Sequence, residues 1–238
     1  LTQTLRDRPQ SMGFNPPMPA KVENNPSVAS RQWEAARNPL VWVIGLGSAC
    51  MYVARYALSS WGMLYLQEEH GYTLQEAGDA LSLVSSIGII GTLSSGPVSD
   101  YLFKAKRAPV SLFYGTLLMI AMAVLFLTPG HHPLLLRVCL GAAGFAIGGQ
   151  LLFLGGLAAA ELCSRRAAGA ALGIVGGISY VGAAVQDLVS GWLINAGRST
   201  GGHYDFHTVK MFWIGATAVS LILTIPLVLF GQKHPDFR

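Results

Sequence analysis

Residues 40–66 read LVWVIGLGSACMYVARYALSSWGMLYL, a run in which Arg55 is the single charged side chain. A stretch this long and apolar is enough to cross a bilayer, whose hydrocarbon core of about 30 Å takes about 20 helical residues. An arginine keeps its proton, and near the middle of a spanning helix it costs roughly 2.5–3.5 kcal/mol even on lenient insertion scales. At a rise of about 1.5 Å per residue, Arg55 lies about 20 Å from Trp42 and about 9 Å from Trp61, aromatics expected to mark the two interfaces. That is too deep for easy snorkelling, so an anionic group is expected to meet the guanidinium.

Working outward, apolar segments of spanning length recur at 77–103, 110–127, 134–162, 167–196 and 209–230, separated by Gly, Pro or charge clusters. The expectation is an all-α membrane protein of six transmembrane helices. Charged residues are 12% of the chain, hydrophobic residues 52%, and mean hydropathy is +0.45, which excludes an ordinary soluble domain. The basic residues form no stripe with interleaved aromatics, so no nucleic-acid partner is expected despite a pI near 9.1. Cys50, Cys139 and Cys163 fall in separate spans without a C-x-x-C pair, which argues against a metal site or a disulfide framework. Gly45-Leu46-Gly47 follows no strand and fails as a nucleotide motif, so neither a cofactor nor enzyme chemistry is expected.

Residues 1–38 are polar and carry Pro9, Pro16, Pro17, Pro19 and Pro26, and they are expected to form a cytoplasmic loop or linker. The six-helix unit is expected at 39–231, with a tail at 232–238. Because Leu1 is not a methionine and no signal-peptide h-region follows, a fragment or a processed product is expected. The connections divide sharply by charge. Arg6, Arg8, Lys21, Arg31, Arg37, Lys104, Lys106, Arg107, Arg165, Arg166, Lys233 and Arg238 lie on one side; the other holds only Arg198 and Lys210, with Glu68, Glu69, Glu76 and Asp205. The excess of Lys and Arg places both termini in the cytoplasm of a multi-pass protein, expected in the plasma or inner membrane. Gly141, Gly144 and Gly148, and Gly169, Gly173 and Gly177, recur at helical spacing and are expected to allow close helix packing.

Ser48, Tyr52, Ser59 and Gly62 stand three or four positions apart on the face of Arg55, which is expected to line a polar cavity. A planar guanidinium among hydroxyls suits phosphate or carboxylate, to which it donates two parallel charge-assisted bonds. The alternative is a structural ion pair with a fixed carboxylate. The fifth helix repeats the pattern with Ser179, Tyr180, Ala183, Gln186, Asp187 and Ser190. Three roles stay open for Asp187: a proton-coupling carboxylate, a partner for Arg55, or a partner for a cation elsewhere. Gln150 either adds a neutral hydrogen bond to the cavity or packs against another helix.

Gly96-Pro97-Val98-Ser99-Asp100-Tyr101-Leu102-Phe103-Lys104-Ala105-Lys106-Arg107 lies between the second and third spans. It resembles the G-x-x-x-D-x-x-x-R/K-x-x-R/K signature of the major facilitator superfamily, a latch in which Gly96 permits close approach while Asp100 accepts from a helix N-terminus or from Arg107. Further stretches narrow the likeness. Leu5 to Gly13, Tyr52-Val53-Ala54-Arg55-Tyr56 with Trp61, Ser99 to Phe103, Ala158 to Leu162, Arg165 to Gly169 and Tyr180-Val181-Gly182 resemble the carboxy-terminal half of an organophosphate:phosphate antiporter, the group of glycerol-3-phosphate and hexose-phosphate transporters and a hexose-phosphate sensor.

That resemblance implies three plus three inverted helices facing an amino-terminal six-helix half, and exchange of an organic phosphate for inorganic phosphate by alternating access. It implies that Arg55 grips phosphate, that Tyr52 and Tyr180 line the pore, and that Asp100, Arg107 and Glu161 gate the cytoplasmic side. Departures stand at Ser60, where glycerol-phosphate transporters carry an acid, at Gly149, which replaces a proline, and at Asp187. Trp61-Gly62, Gln150 and Ala158 to Glu161 are closer to the sensor branch. Two other readings stay open: a membrane sensor of hexose phosphate signalling to a partner kinase, and a six-helix subunit that dimerises.

Overall fold

The computed structural model describes residues 28–103, 107–130, 132–154, 163, 167–198 and 203–233. Expectations resting on 1–27, on Lys104 and Lys106, and on 155–162 with Glu161, lie outside the described residues, as do those on Arg165, Arg166 and the tail after Lys233.

The helices run α1 Val28–Arg37, α2 Pro39–Tyr56, α3 Gly62–His70, α4 Leu74–Pro97, α5 Arg107–Leu127, α6 Pro133–Leu152, α7 Ala168–Ala196 and α8 His207–Lys233. Two π-helical turns, Ala57–Trp61 and Val98–Leu102, join α2 to α3 and extend α4. Six of these units are long and apolar enough to cross a membrane: Pro39–His70, Leu74–Leu102, Pro109–Leu127, Pro133–Leu152, Ala168–Ala196 and His207–Pro226. No strand occurs among the described residues, only an isolated bridge between Arg198 and Tyr204.

Local chemistry sets the ends. The Asn38 side chain accepts from the Leu40 N–H at 3.0 Å, with Pro39 at the first helical position where no N–H is needed. Gly71 takes the left-handed conformation, φ 66°, so that its N–H and that of Tyr72 close onto the carbonyls of Gln67 and Leu66. Two residues later Thr73 and Glu76 form a capping box, the Glu76 carboxylate accepting from the Thr73 N–H at 2.9 Å. The first and second spans are thereby joined by a three-residue turn.

Two departures from the sequence expectation follow. Val28–Arg37 is helical rather than part of a loop, because Ala35 is fully buried in a cluster with Val41, Ile44, Leu154, Ala171 and Val175 that props the short helix on α2 and α7. Trp61 is not an interface marker, because the helix continues to His70 and the Trp61 ring packs against Gly191 of α7. With the span running Pro39–His70, Arg55 lies about 24 Å from one end and about 22 Å from the other, at its middle.

Packing is organised by crossings of small residues. Where α4 meets α6, a methyl group on Gly91, Gly144 or Gly148 would overlap the backbone of Phe145, Val84 or Gly88, and Thr92 Oγ1 donates across the contact to the Gly148 carbonyl at 3.0 Å. The expectation for Gly141, Gly144 and Gly148 holds. Gly169, Gly173 and Gly177 differ: nothing lies within 4 Å of a side chain added there, so they contribute an open face of α7 rather than a packed one. Helix α2 packs on α7 and α8, and α5 bridges α6 and α8. The core between them holds Trp213, Tyr114, Phe206, Leu66 and Leu118, each almost fully buried. Helices α4 and α7 are the least buried of the spans.

Charges at one end confirm how the connections group. Lys210 Nζ bonds Glu69 Oε2 at 3.0 Å and His203 approaches Glu68 at 3.7 Å, tying the start of α8 to the end of α3. Arg137, five residues into α6 and exposed, joins this end as a third cation beside Arg198 and Lys210. It falls within the span expected at 134–162, which hid it from the charge comparison.

Candidate functional site

Arg55 stands one residue before the end of α2, immediately ahead of the π-helical turn. Its guanidinium carbon is 5.4 Å from the Tyr52 ring centroid and 5.7 Å from that of Tyr56, so the cation lies to one side of the two rings, against both. The rings stack with centroids 6.0 Å apart. Tyr180 of α7 meets Tyr52 edge-on at 5.5 Å. Tyr52 is 7% exposed and Tyr180 62%, so the cluster reaches from the packed α2–α7 seam out to an open face. A ring face attracts a guanidinium by about 0.5–1 kcal/mol, more when desolvated.

Among the described residues no ion pair joins Arg55 to Asp187 or to any other carboxylate. The pairing of those two, one of the roles open for Asp187, is absent here. Ser59, one turn beyond Arg55, is exposed, and its hydroxyl donates to the Arg55 carbonyl at 3.1 Å while its lone pairs stay available. A π-helical turn inserts one residue per turn and shifts the side-chain register, a feature found often at functional sites.

The rest of the expected cavity face divides in two. Ser48 is fully buried and shares a 2.7 Å hydrogen bond with Ser179, and Gly62 is covered by Leu81; both serve packing. On α7, Ser179, Ala183, Gln186 and Ser190 are buried, and Ser190 Oγ accepts from Trp213 Nε1 at 2.8 Å and from Gln186 Nε2 at 3.1 Å. Tyr180 lies off this row, exposed, and Asp187 is half-buried. Gln150 is 1% exposed and sits against Gly115 of α5, with its Oε1 unbonded, so the structure puts it in the α5–α6 contact rather than with the tyrosines. Asp100 is exposed in the turn after α4, and Arg107 opens α5.

Residues 5–186 match the Major Facilitator Superfamily. The chain belongs to this superfamily. It is 34% identical over 204 residues to "Membrane sensor protein UhpC" of Salmonella typhimurium, covering 81% of this chain and 45% of that protein. To "Glycerol-3-phosphate transporter" of Bacillus subtilis it is 30% identical over 211 residues, 83% of this chain and 47% of the relative. To "Probable hexose phosphate transport protein" of Chlamydia pneumoniae it is 28% identical over 260 residues, 98% and 54%. The chain thus spans about half the length of these major facilitator relatives, as its six spans would require.

Sequence reasoning overlooked Tyr56 and the buried atoms of Trp61. The first was not legible from spacing, since neighbours in sequence do not face each other on a regular helix; Tyr56 meets Arg55 just where the π-helical turn begins. Nor was the second: that Trp61 turns inward depends on the length of the helix beyond it.

Proposed function

We propose that this chain is the carboxy-terminal half of a transporter that exchanges an organic phosphate, a hexose phosphate or glycerol 3-phosphate, for inorganic phosphate by alternating access. The observation that carries the proposal is Arg55: a permanent cation at the middle of a spanning helix, set beside two tyrosine rings and without a carboxylate partner among the described residues. A phosphate bound there accepts parallel hydrogen bonds from the guanidinium and neutralises a charge the membrane interior penalises. The empty site then resists rocking while the loaded site permits it, so exchange is favoured over leak. Tyr52, Tyr180 and Ser59 line the approach. The open faces of α4 and α7 receive an amino-terminal six-helix half, with residues 1–38 as the cytoplasmic linker between halves. The excess of Lys and Arg orients both ends of the chain toward the cytoplasm of a plasma-membrane protein. Asp100 with Arg107, and Glu161, gate that side.

The names of relatives keep a second reading alive, because two of them are called membrane sensor proteins. A sensor binds hexose phosphate through the same arginine and signals to a partner without flux. Reconstituted vesicles loaded with phosphate distinguish the two. The transporter takes up labelled organic phosphate in exchange, and the Arg55→Ala variant, inserted at normal levels, does not. Uptake that survives Arg55→Ala refutes the assignment of Arg55; ligand binding without uptake in the parent protein replaces the transporter with the sensor.

A further inference from the structure

The short helix α1 carries an exposed cation, Arg37, whose guanidinium carbon lies 5.9 Å from the ring centroid of the exposed Trp33, one turn earlier. At about 100° per residue both stand opposite Ala35, which buries α1 against α2 and α7, so the pair faces away from the bundle. No carboxylate pairs with Arg37 among the described residues, and Glu34, three positions back, lies near Cys163 instead. The next residues fix the depth of the pair. Asn38 turns the chain and the first span begins at Pro39, so Arg37 sits at the edge of the hydrocarbon layer. Trp42, in the first turn of that span, is exposed, and its indole N–H donates to the Ala36 carbonyl at 2.9 Å, tying the end of α1 to it. Leu46, one turn deeper on the same side, is exposed as well. Both lie across α2 from Arg55, while Gly45 against Ile178 of α7 and Gly47 against Leu223 of α8 close the flanks. The strip of Trp42 and Leu46 therefore runs from the membrane edge inward on the outer side of α2, where lipid lies.

We propose that this corner is a site for an anionic phospholipid, its phosphate on Arg37 and one acyl chain along Trp42 and Leu46. The proposal rests on the cytoplasmic orientation proposed above and is independent of the phosphate reading of Arg55. The cytoplasmic leaflet carries the negative headgroups that basic residues beside a span attract. A guanidinium donates two parallel hydrogen bonds to a phosphate, and the Trp33 ring against its flat face leaves it weakly hydrated and fixed in orientation. The indole N–H of Trp42 is already engaged, so what its ring offers is apolar surface, which suits an acyl chain. A zwitterionic headgroup brings its own cation beside the phosphate and gains less from Arg37 than a headgroup with net negative charge. The residue types follow from the depth: a cation where the headgroups lie, an aromatic at the boundary and an aliphatic below it.

The test is tryptophan quenching in nanodiscs that hold the complete protein in mixtures of phosphatidylcholine and phosphatidylglycerol, with one or the other lipid brominated on its acyl chain. The quenching that disappears in Trp42→Phe reports this site. Phosphatidylglycerol is expected to occupy it about fivefold more readily than phosphatidylcholine at low salt, the attraction of one basic residue at an anionic surface. Arg37→Gln should bring that ratio to about one. Arg37→Lys keeps the charge and part of the preference, so a loss confined to Arg37→Gln is a loss of charge and not of fold. A parent ratio near one, a ratio unchanged in Arg37→Gln, or an equal loss in both variants overturns the lipid site. Nanodiscs present both leaflets, so these outcomes do not depend on orientation. Sidedness is read separately, from a membrane-impermeant thiol reagent acting on Trp33→Cys in a background without the native cysteines. Labelling in inverted vesicles alone is expected; labelling in right-side-out vesicles overturns the cytoplasmic leaflet and leaves the binding ratio standing.

Discussion

Replacing Arg55 with methionine separates a ligand-binding arginine from a structural one, because the two predict opposite changes in stability. A guanidinium at mid-membrane costs roughly 2.5–3.5 kcal/mol relative to an apolar side chain. Against this stand two ring contacts, at 5.4 Å and 5.7 Å, on a half-buried side chain. At about 0.5–1 kcal/mol each, they recover about 1–2 kcal/mol. No carboxylate among the described residues adds to that side. Arg55→Met in the ligand-free protein is therefore expected to be stabilising by about 0.5–2.5 kcal/mol, seen as a higher melting temperature in detergent, while addition of phosphate no longer raises that temperature. The parent, by contrast, gains stability from phosphate by mass action. The reasoning fails if the variant melts lower than the parent without ligand. Such a loss means that the cation completes an ion pair within the protein, since breaking a buried pair costs about 3–5 kcal/mol.

Two further predictions concern the scaffold. Gly144→Val forces a branched side chain into the Val84 backbone and should prevent the α4–α6 crossing from forming, whereas Thr92→Val, which removes the hydroxyl shared between the Gly88 and Gly148 carbonyls, should cost about 1 kcal/mol; thermal unfolding in detergent compares them, and equal effects would contradict the close approach. Burial first, and then the nearby Glu34 carboxylate, raise the pKa of the Cys163 thiol above its usual value, with Asn38 partly opposing. In a background lacking Cys50 and Cys139, maleimide labelling at neutral pH should thus be slower than for an exposed thiol and should accelerate as pH rises, with Glu34→Gln faster than the parent; a rate indifferent to Glu34 would argue against the packing of α1 beside that residue.

The six spans were legible in the residues because a bilayer sets one length and one polarity for any helix that crosses it. Each of the six spans expected from hydropathy has its counterpart, with ends shifted by a few residues where a cap decides them, Asn38 with Pro39, Thr73 with Glu76, and Gly71; the fourth runs Pro133–Leu152, and the rest of its expected length, 155–162, lies outside the described residues. Arg55 was equally plain, since one charge in an apolar run needs no neighbours to be noticed. The small residues were ambiguous. Gly144 and Gly173 look alike in sequence, yet one accepts a neighbouring backbone and the other faces open space. Ser179 and Tyr180, adjacent on α7, point to opposite fates for the same reason: one is locked to Ser48 and the other is exposed.

The sequence by itself determined the class, the number of spans, the grouping of charge between connections and the identity of the buried cation, because each is a property of a residue against its solvent. Tertiary structure alone decided which polar side chains satisfy one another and which stay available. Ser48, Ser179 and Ser190 are consumed in the bundle, while Arg55 has no carboxylate among the described residues and Gln186, Trp61 and Asp187 each keep an unmade bond. That division depends on helix rotation: a turn of a helix by one residue, about 100°, exchanges the buried face for the open one, and the rotation is set by the close contacts at Gly45, Gly182 and Gly191.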